Sequence, residues 1–583
     1  MSANNHPLGN PLRMPGLGGI LGVLANRLLG LTRLARWYDE RPTGLSAAEF
    51  CRYALGRIGT KADIVLGDIN DIPQHGPLVV IANHPFGGVE GMVLIEMLLS
   101  RRSDVKVLAN GLLARIPELA DLFVPVDVFH SGVNQPAIRS ASQHVERGGA
   151  LLMFPAGEVS SFRWQERAVV EAEWRHTSSV IAHRAGAAVQ PVFIEGRNRL
   201  GFHLLGLVHP LLRTLLLPRE MVAKRGKTIR MRIGALIPYA DIAGLGKAET
   251  TGFLRLNTLL LGRMETQKAV SGRCYRVPLM APLPGEVVAA ELAQLNPLLE
   301  ENNFQVFMAD SNQIPCTLKE IGRLRELSFR AAGEGSGLSC DLDRFDQWYQ
   351  HLILWDAEAC RVAGAYRIGV AADIVPTLGV SGLYSNSLFH FGQDFLDALE
   401  DPIELGRSFV VPEYQRSPRS LYLLWKGLGA FISSREVGPS VLFGPVSISA
   451  DYSPMLRRLL VMTLSLNHGE VIFEKLVRPR QALTGEELKF SRDALAGLAD
   501  IRRFDRLVSR IGNGRRLPVL LRHYLGLNGR LVCFSVDRAF SNVLDGLIVV
   551  DMRKASEKIR RKYMGAAGAA HYKACHLRKV LDV

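Results

Sequence analysis

The sequence predicts an α/β protein of two domains, and three features carry that expectation. The chain has 583 residues, more than one hydrophobic core normally accommodates. Strand-like apolar runs alternate with helical spacing along most of it. One stretch, SGRCYRVPLMAPLPGEV at 271–287, interrupts the alternation with prolines and glycines and has no periodicity.

Ahead of that break the strand-like runs are GPLVVIAN, VKVLAN, GALLMFPAG, AAVQPVFIEG and TIRMRIGALI. After it come NFQVFMAD, CRVAGAYRIG, IELGRSFVV, SVLFGPVSI, RLVCFSVD and GLIVVDM. The first set reads as a sheet sandwiched by helices, the second as a separate α/β domain with a more antiparallel sheet. The expected organisation is an amphipathic, membrane-associating segment over 1–45, a first domain over 46–270, a linker over 271–287 and a second domain over 288–583.

A formal net charge of +14 and an isoelectric point near 9.6 favour an anionic partner. Zinc-finger spacing, an aromatic RNA-binding motif and a basic tail are all missing, so no nucleic acid partner is expected. The cysteines, Cys51, Cys274, Cys316, Cys340, Cys360, Cys533 and Cys575, are dispersed without a CxxC pair. They read as reduced thiols of a cytoplasmic protein, with no metal site. Two apolar segments are interrupted by arginine: GLGGILGVLANRLLGLTRLARW, with Arg27 and Arg33, and HLLGLVHPLLRTLLLPRE, with Arg213. Neither has the roughly twenty charge-free residues of a membrane span. They read as helices lying in the headgroup zone, or as core helices with snorkelling arginines. Peripheral attachment is the expectation.

In IANHPFGGVEG (81–91), His84 follows a short apolar strand and Glu90 opens a helical run, where the helix dipole favours a carboxylate. A histidine with a carboxylate in reach is a general base with its orienter. Asn83, Gly87 and Gly88 of the same turn are candidate substrate-binding residues. In LLMFPAGEVSSF a second strand runs into a turn, where Phe154, Pro155, Gly157, Glu158 and Ser160 are further candidates.

These blocks, followed by QPVFIEG, resemble in order those of the glycerolipid (lysophospholipid) acyltransferases, which read N-H-x4-D, F-P-E-G-T-R-S and V-P-V. The resemblance covers about Pro77 to Ile237. It implies that His84, oriented by Glu90, deprotonates a substrate hydroxyl that attacks an acyl thioester directly, with backbone amides of the glycine turn stabilising the oxyanion. Two departures stand out. The carboxylate is a glutamate one residue later than usual, and the usual T-R is Glu158-Val159. Valine does not pair with phosphate, which points to an acceptor without one, although Arg163 stands nearby as a substitute.

In the second half, DPIELGRSFVVPEYQRSPRSLYLLWKGLGAFI places a strand before a turn and a helix, an arrangement able to bind an anion. It resembles the pyrophosphate-loop region of the Gcn5-type N-acyltransferases, but QRSPRS at 415–420 lacks the loop's glycines. This suits acyl carrier protein as donor, and Gln415, Arg416 and Arg419 are its candidate substrate-binding residues. Read with LFGPVSIS and LPVLLRHYLGLNGRLVCFSVDRAFSNVLDGLIVVDM, the region from Phe304 to Met564 resembles the ornithine acyl-carrier-protein N-acyltransferases. ELGRSFV also resembles a segment of the acyl-homoserine-lactone synthases, which singles out Glu404 and Arg407 for the acceptor site, or else as a structural ion pair. Tyr422 and Trp425 read as core, and Asp537, Asp545 and Asp551 as strand flanks.

Together the resemblances imply a bifunctional ornithine-lipid synthase. The second domain would N-acylate ornithine with a 3-hydroxyacyl group from acyl carrier protein, and the first would O-acylate the resulting 3-hydroxyl. No cofactor is expected beyond the carrier's phosphopantetheine thioester, and the expected location is the cytoplasmic face of the bacterial inner membrane. The alternatives are a phospholipid acyltransferase of the 1-acylglycerol-3-phosphate type with a docking module, a synthase acting on glycine, lysine or glutamine, and a noncatalytic membrane scaffold.

Overall fold

Apolar strand runs in the first half become a seven-stranded sheet. The computed structural model describes residues 26–110, 116–126, 134–264, 277–400, 402–435, 441–485, 488 and 490–581. Residues 1–25 of the expected N-terminal segment and 271–276 of the expected linker lie outside the described residues. The chain divides into two compact units, the first comprising 1–267 and 490–513 and the second 268–489 and 514–583.

In the first unit the strands are β1 (Lys61–Leu66), β2 (Leu78–Ala82), β3 (Val105–Asn110), β4 (Phe123–Val126), β5 (Ala150–Met153), β8 (Ala188–Ile194) and β9 (Thr228–Ile233). Their order is β1-β9-β8-β2-β5-β3-β4, parallel throughout except between β8 and β9. Strands β2 and β5 are buried on both faces, which is why they read as unbroken apolar runs. Leu78, Val80, Leu94, Leu98, Leu152 and Val192 belong to the core they build. Since β2, β5 and β8 are adjacent and parallel, their carboxyl ends deliver three turns to one sheet edge, where open α/β sheets bind ligands. A small hairpin, β6 (Ser161–Arg163) with β7 (Ala168–Val170), follows the β5 turn. The helices used below are α1 (Leu31–Asp39), α2 (Val89–Leu99), α3 (Leu200–Val208), α4 (Pro210–Ala223) and α5 (Lys247–Leu261).

Residues 490–513 correct the expected second domain, 288–583, which is not one continuous stretch. Helices Arg492–Ala496 and Ile501–Ile511 pack on α5, and a Cβ on Gly252 would stand 2.8 Å from backbone atoms of Ala494. Phe504, Leu507 and Val508 form the buried face. The polar reason is Asp241, a buried carboxylate that needs countercharge. Its Oδ1 lies 2.6 Å from Arg506 Nε, its Oδ2 pairs with Arg510, and its backbone carbonyl accepts from Arg503 Nε at 2.6 Å.

The second unit's main sheet runs β10 (Leu299–Glu301), β11 (Phe304–Asp310), β12 (Gln350–Asp356), β13 (Arg361–Val370), β15 (Ile403–Val410), β16 (Val441–Ile448), β19 (Val543–Asp551) and β18 (Arg530–Asp537). The strands β14 (Phe389–Phe391) and β17 (Val477–Pro479) pair separately. All neighbours in the main sheet are antiparallel except β15 and β16, as the sequence led us to expect of a more antiparallel sheet. That parallel pair touches only at Ile403–Leu442 and Glu404–Phe443. Beyond it β15 stays with β13 and β16 with β19, so the two strands part and open a wedge. At its apex Gly444 has φ +158°, and a Cβ there would stand 2.1 Å from the Leu405 carbonyl oxygen. Glycine is required by this close approach. Helix α6 (Arg419–Ser434) packs on β12 and β13.

Replacing Asp241 by alanine leaves Arg506 and Arg510 without their carboxylate, while the backbone carbonyl that Arg503 binds remains. The expected cost is about 2–4 kcal/mol of first-unit stability, lowered from the fully buried case because Arg506 is part exposed. A fall in the urea midpoint at unchanged slope checks it.

Candidate active sites

The first site forms where β2 ends. His84 Nδ1 lies 3.0 Å from Glu90 Oε1, with the Glu90 side chain fully buried and the His84 ring part exposed. With Nδ1 turned to the carboxylate, Nε2 is the nitrogen left to act as a base. Glu90 stands in the first turn of α2 and accepts backbone N–H bonds from Phe86 and Gly87 on Oε1, at 2.8 and 2.7 Å, and from Gly88 on Oε2 at 3.1 Å. Burial pushes this carboxyl up, but His84 and the N–H donors outweigh it and hold the group below its ordinary value. The turn needs a positive φ, +104°, at Gly87, where a Cβ would also strike the Leu217 side chain of α4. The ring of Phe154, from the turn after β5, stacks on the imidazole with centroids 4.3 Å apart.

The backbone of His84 is held at both ends. Its carbonyl accepts the Ser160 N–H at 2.9 Å, and its own N–H donates to Glu171 Oε1 at 3.1 Å. Sequence reading missed Glu171; the only signal is an acid within the short apolar stretch AVVEAEW. Burial pushes its carboxyl up to about 7, against the pull of Trp174, Arg255 and the His84 N–H. Lys224 was also missed. Burial brings its ammonium down to about 8, and it stands 3.9 Å from the centre of the Phe86 ring.

Several expected substrate contacts are corrected. Asn83 is buried and spends both ends of its amide on the Ile194 backbone, at 2.9 and 2.6 Å, tying β2 to β8. The N–H groups of Gly87 and Gly88 are engaged by Glu90, so they are not the expected oxyanion donors. Ser160 steadies His84. Pro155 accepts the Arg175 N–H through its carbonyl, and Gly157, at φ +70°, closes the turn onto Phe154. Glu158 meets Arg213 of α4 at 3.0 Å. A guanidinium thus reaches the turn that lacks the family's usual arginine, with its charge answered by Glu158. Arg163 is exposed at the end of β6.

The second site is the wedge in the second unit, a cavity of about 1180 Å³ whose lining includes Ser408 and Val410 of β15, Val446 of β16, and Tyr422 of α6. Arg407 lines it from a left-handed backbone position, φ +48°, a conformation sparsely used by such residues and concentrated at functional sites. Its Nε lies 3.2 Å from Asp341, its Nη1 donates to the Tyr384 hydroxyl at 3.1 Å, and it lies over the Tyr384 and Phe540 rings. Two acids that sequence reading did not assign to the site also line it. Burial pushes Asp545 up to about 7, although Ser447 donates to it at 2.9 Å; burial, then Asp545 and Asp451, push Glu334 up to about 8.

Glu404 is corrected outright. It is fully buried and bound by the Tyr349 hydroxyl and the Tyr384 and Ser385 N–H groups, so it is neither an acceptor contact nor half of an ion pair. Gln415 lines the cavity and donates to the Val410 carbonyl at 2.8 Å; Arg419 lines it and reaches Glu301. Arg416 is exposed and outside the lining. Trp425 is core, as expected, whereas Tyr422 faces the cavity.

Comparison with known proteins agrees with this two-site arrangement. Residues 62–265 match an acyltransferase family and residues 324–426 an acetyltransferase (GNAT) domain. A glycine N(alpha)-acyltransferase of Bacteroides thetaiotaomicron is 32% identical over 307 residues, covering 48% of this chain and 88% of that protein. A lyso-glycine lipid O-acyltransferase of Phocaeicola vulgatus is 31% identical over 215 residues, covering 34% of this chain and 72% of that protein. The chain belongs to both acyltransferase families. It is an enzyme that joins an O-acyltransferase unit and an N-acyltransferase unit in one polypeptide of lipid synthesis.

Glu90 and Glu171 pull first-unit stability in opposite directions with pH. Glu90, held low, contributes stability in the neutral range that is lost as pH falls through its folded value. Glu171, raised from 4.5 to about 7, contributes fully below 4.5 and loses that contribution as pH rises to about 7. Glu171→Gln keeps an acceptor for the His84 N–H and is expected to gain roughly 1–3 kcal/mol over wild type at pH 8 and little at pH 4.5. Urea unfolding at the two pH values checks it.

Proposed function

We propose that this enzyme makes an aminoacyl lipid in two acyl transfers, with ornithine as the amino acid. In the second unit the α-amine attacks the thioester of a 3-hydroxyacyl group carried on the phosphopantetheine arm of acyl carrier protein. The amine attacks in its neutral form, the C–N bond forms, the C–S bond breaks, and one of the acids Asp545 and Glu334 takes the proton that the nitrogen loses and returns it to the leaving thiolate. In the first unit His84 takes the proton of the new lipid's 3-hydroxyl, the oxygen attacks a second acyl thioester, and Glu90 stabilises the imidazolium until the thiolate recovers the proton.

The observation that carries this reading is the presence on one chain of a histidine–glutamate dyad with a buried carboxylate and an acid-lined wedge. The parting of β15 from β16 supports an extended donor arm, because strand edges not paired with each other offer N–H and C=O groups to its amides. The pairing of Arg213 with Glu158 supports a first-unit acceptor without phosphate. A diamino acid is supported by the pair of acids in the wedge: Arg407 already has Asp341, which leaves Glu334 and Asp545, one for the reacting amine and one to meet a second ammonium. The glycine N(alpha)-acyltransferase and lyso-glycine lipid O-acyltransferase similar to this chain favour a second reading, with glycine as the amino acid. The net charge of +14 supports work with an acidic carrier protein at the anionic cytoplasmic face of the inner membrane. No helix among the described residues is long and apolar enough to cross a membrane.

Expression in a bacterium without aminolipids, followed by mass analysis of the lipids and their hydrolysed headgroups, tests the reading. The full chain is expected to yield a diacyl, phosphorus-free ornithine lipid. His84→Ala is expected to leave its monoacyl form, with O-acylation about 10²–10⁴-fold slower. A glycine headgroup would establish the second reading, and altered phospholipids alone would overturn both.

A further inference from the structure

Helices α3 and α4 form a hairpin with two unlike faces. Phe202 and His203 turn inward from α3, whereas Leu200, Leu204, Leu205 and Leu207 are exposed, Leu200 at 71%. On α4, Leu215 is exposed and Glu220 is buried. Strand β6 packs against α3, and just past that strand Trp164 is 71% exposed, held edge-on by Phe162. On another flank α1 packs against α4, and the exposed Leu28 precedes it. Exposed leucines on α3, on α4 and ahead of α1, with a tryptophan past β6, are more apolar surface than scattered surface residues explain. Arg197 and Arg199, just ahead of α3, and Arg219 on α4, all exposed, flank them.

We infer that the α3–α4 hairpin, with Trp164 beside it, is the surface by which the first unit enters an anionic bilayer. Leucines enter the acyl boundary, the indole sits at headgroup depth where tryptophan is favoured, and the arginines meet lipid phosphates. The same hairpin's inner face reaches the catalytic turn. Leu217 blocks the position a Cβ on Gly87 would take, Met221 lies 3.6 Å from the corresponding position on Gly88, and Arg213 pairs with Glu158. A lipid hydroxyl can therefore approach His84 beside the element that touches the membrane. An acidic protein partner is a weaker match, because five exposed leucines offer it no charge.

The acceptor's route rests on the first unit's reading as a lipid O-acyltransferase, whereas vesicle partitioning is measured without any reaction, so the two fail separately. The full chain is floated with vesicles of phosphatidylglycerol and phosphatidylcholine and with phosphatidylcholine alone. Wild type is expected to bind the anionic vesicles, and Leu204→Asp with Leu205→Asp, or Trp164→Ala, to lower the partition coefficient at least about tenfold. The same variants are expected to acylate a short-chain, monomeric acceptor at the wild-type rate, which shows the catalytic turn intact. Failure of wild type to bind, equal binding by the variants, or a variant effect confined to carrier-protein-dependent rates would overturn the proposal.

Discussion

A carboxylate taken wholly out of water is the constraint on which the first unit depends. Glu90 keeps its charge because three consecutive backbone N–H groups and an imidazole surround it, and without them a buried carboxylate would take up a proton. That requirement dictates the turn. Phe86, Gly87 and Gly88 must aim their amides at one side chain, which forces the positive φ at Gly87 and lets α4 close against it. Once the amides are spent there, the turn serves the dyad and has none left over for the oxyanion. The glutamate one residue beyond the usual aspartate position is accommodated by the same geometry: the longer side chain spans the extra glycine and still meets Nδ1.

In the second unit the organising feature is a parting of strands. Gly444 lets β16 touch β15 at one point, and beyond it each strand is tied to its outer neighbour. Polar groups gather along the opening in a way a structural core would not tolerate. Arg407 sits in an unfavourable backbone region, and two acids are raised toward neutrality by burial and by neighbouring carboxylates, Glu334 by Asp545 and Asp451, Asp545 by Asp537. Perturbed groups of this kind mark sites where a proton must be moved.

Legibility followed the local character of each signal. The strand runs, the change to an antiparallel second sheet and the His84–Glu90 pair were readable, because a buried strand, a turn and a helix start leave their marks within a dozen residues. Long-range relations left no such mark. Residues 490–513 belong with the first unit because Asp241 needs Arg503, Arg506 and Arg510, a link across more than two hundred residues. Glu171, Glu334 and Asp545 look like ordinary acids in sequence; burial gives them their character. Asn83 and Glu404 show the reverse. Both stand in motif positions, and both are consumed by neighbouring backbone.

Independence of the two chemistries within one chain is most directly tested by following acyl transfer in vitro. The purified full chain carrying Asp545→Asn with Glu334→Gln is given the 3-hydroxyacyl carrier thioester and the amino acid, and separately the finished monoacyl lipid with an acyl donor. Mass spectrometry follows both products over time. The expected result is N-acylation slowed by about 10² or more, with the added monoacyl lipid converted to the diacyl form at the wild-type rate. Equal loss of both conversions, or undiminished N-acylation, would contradict the assignment of separate acid- and histidine-based sites.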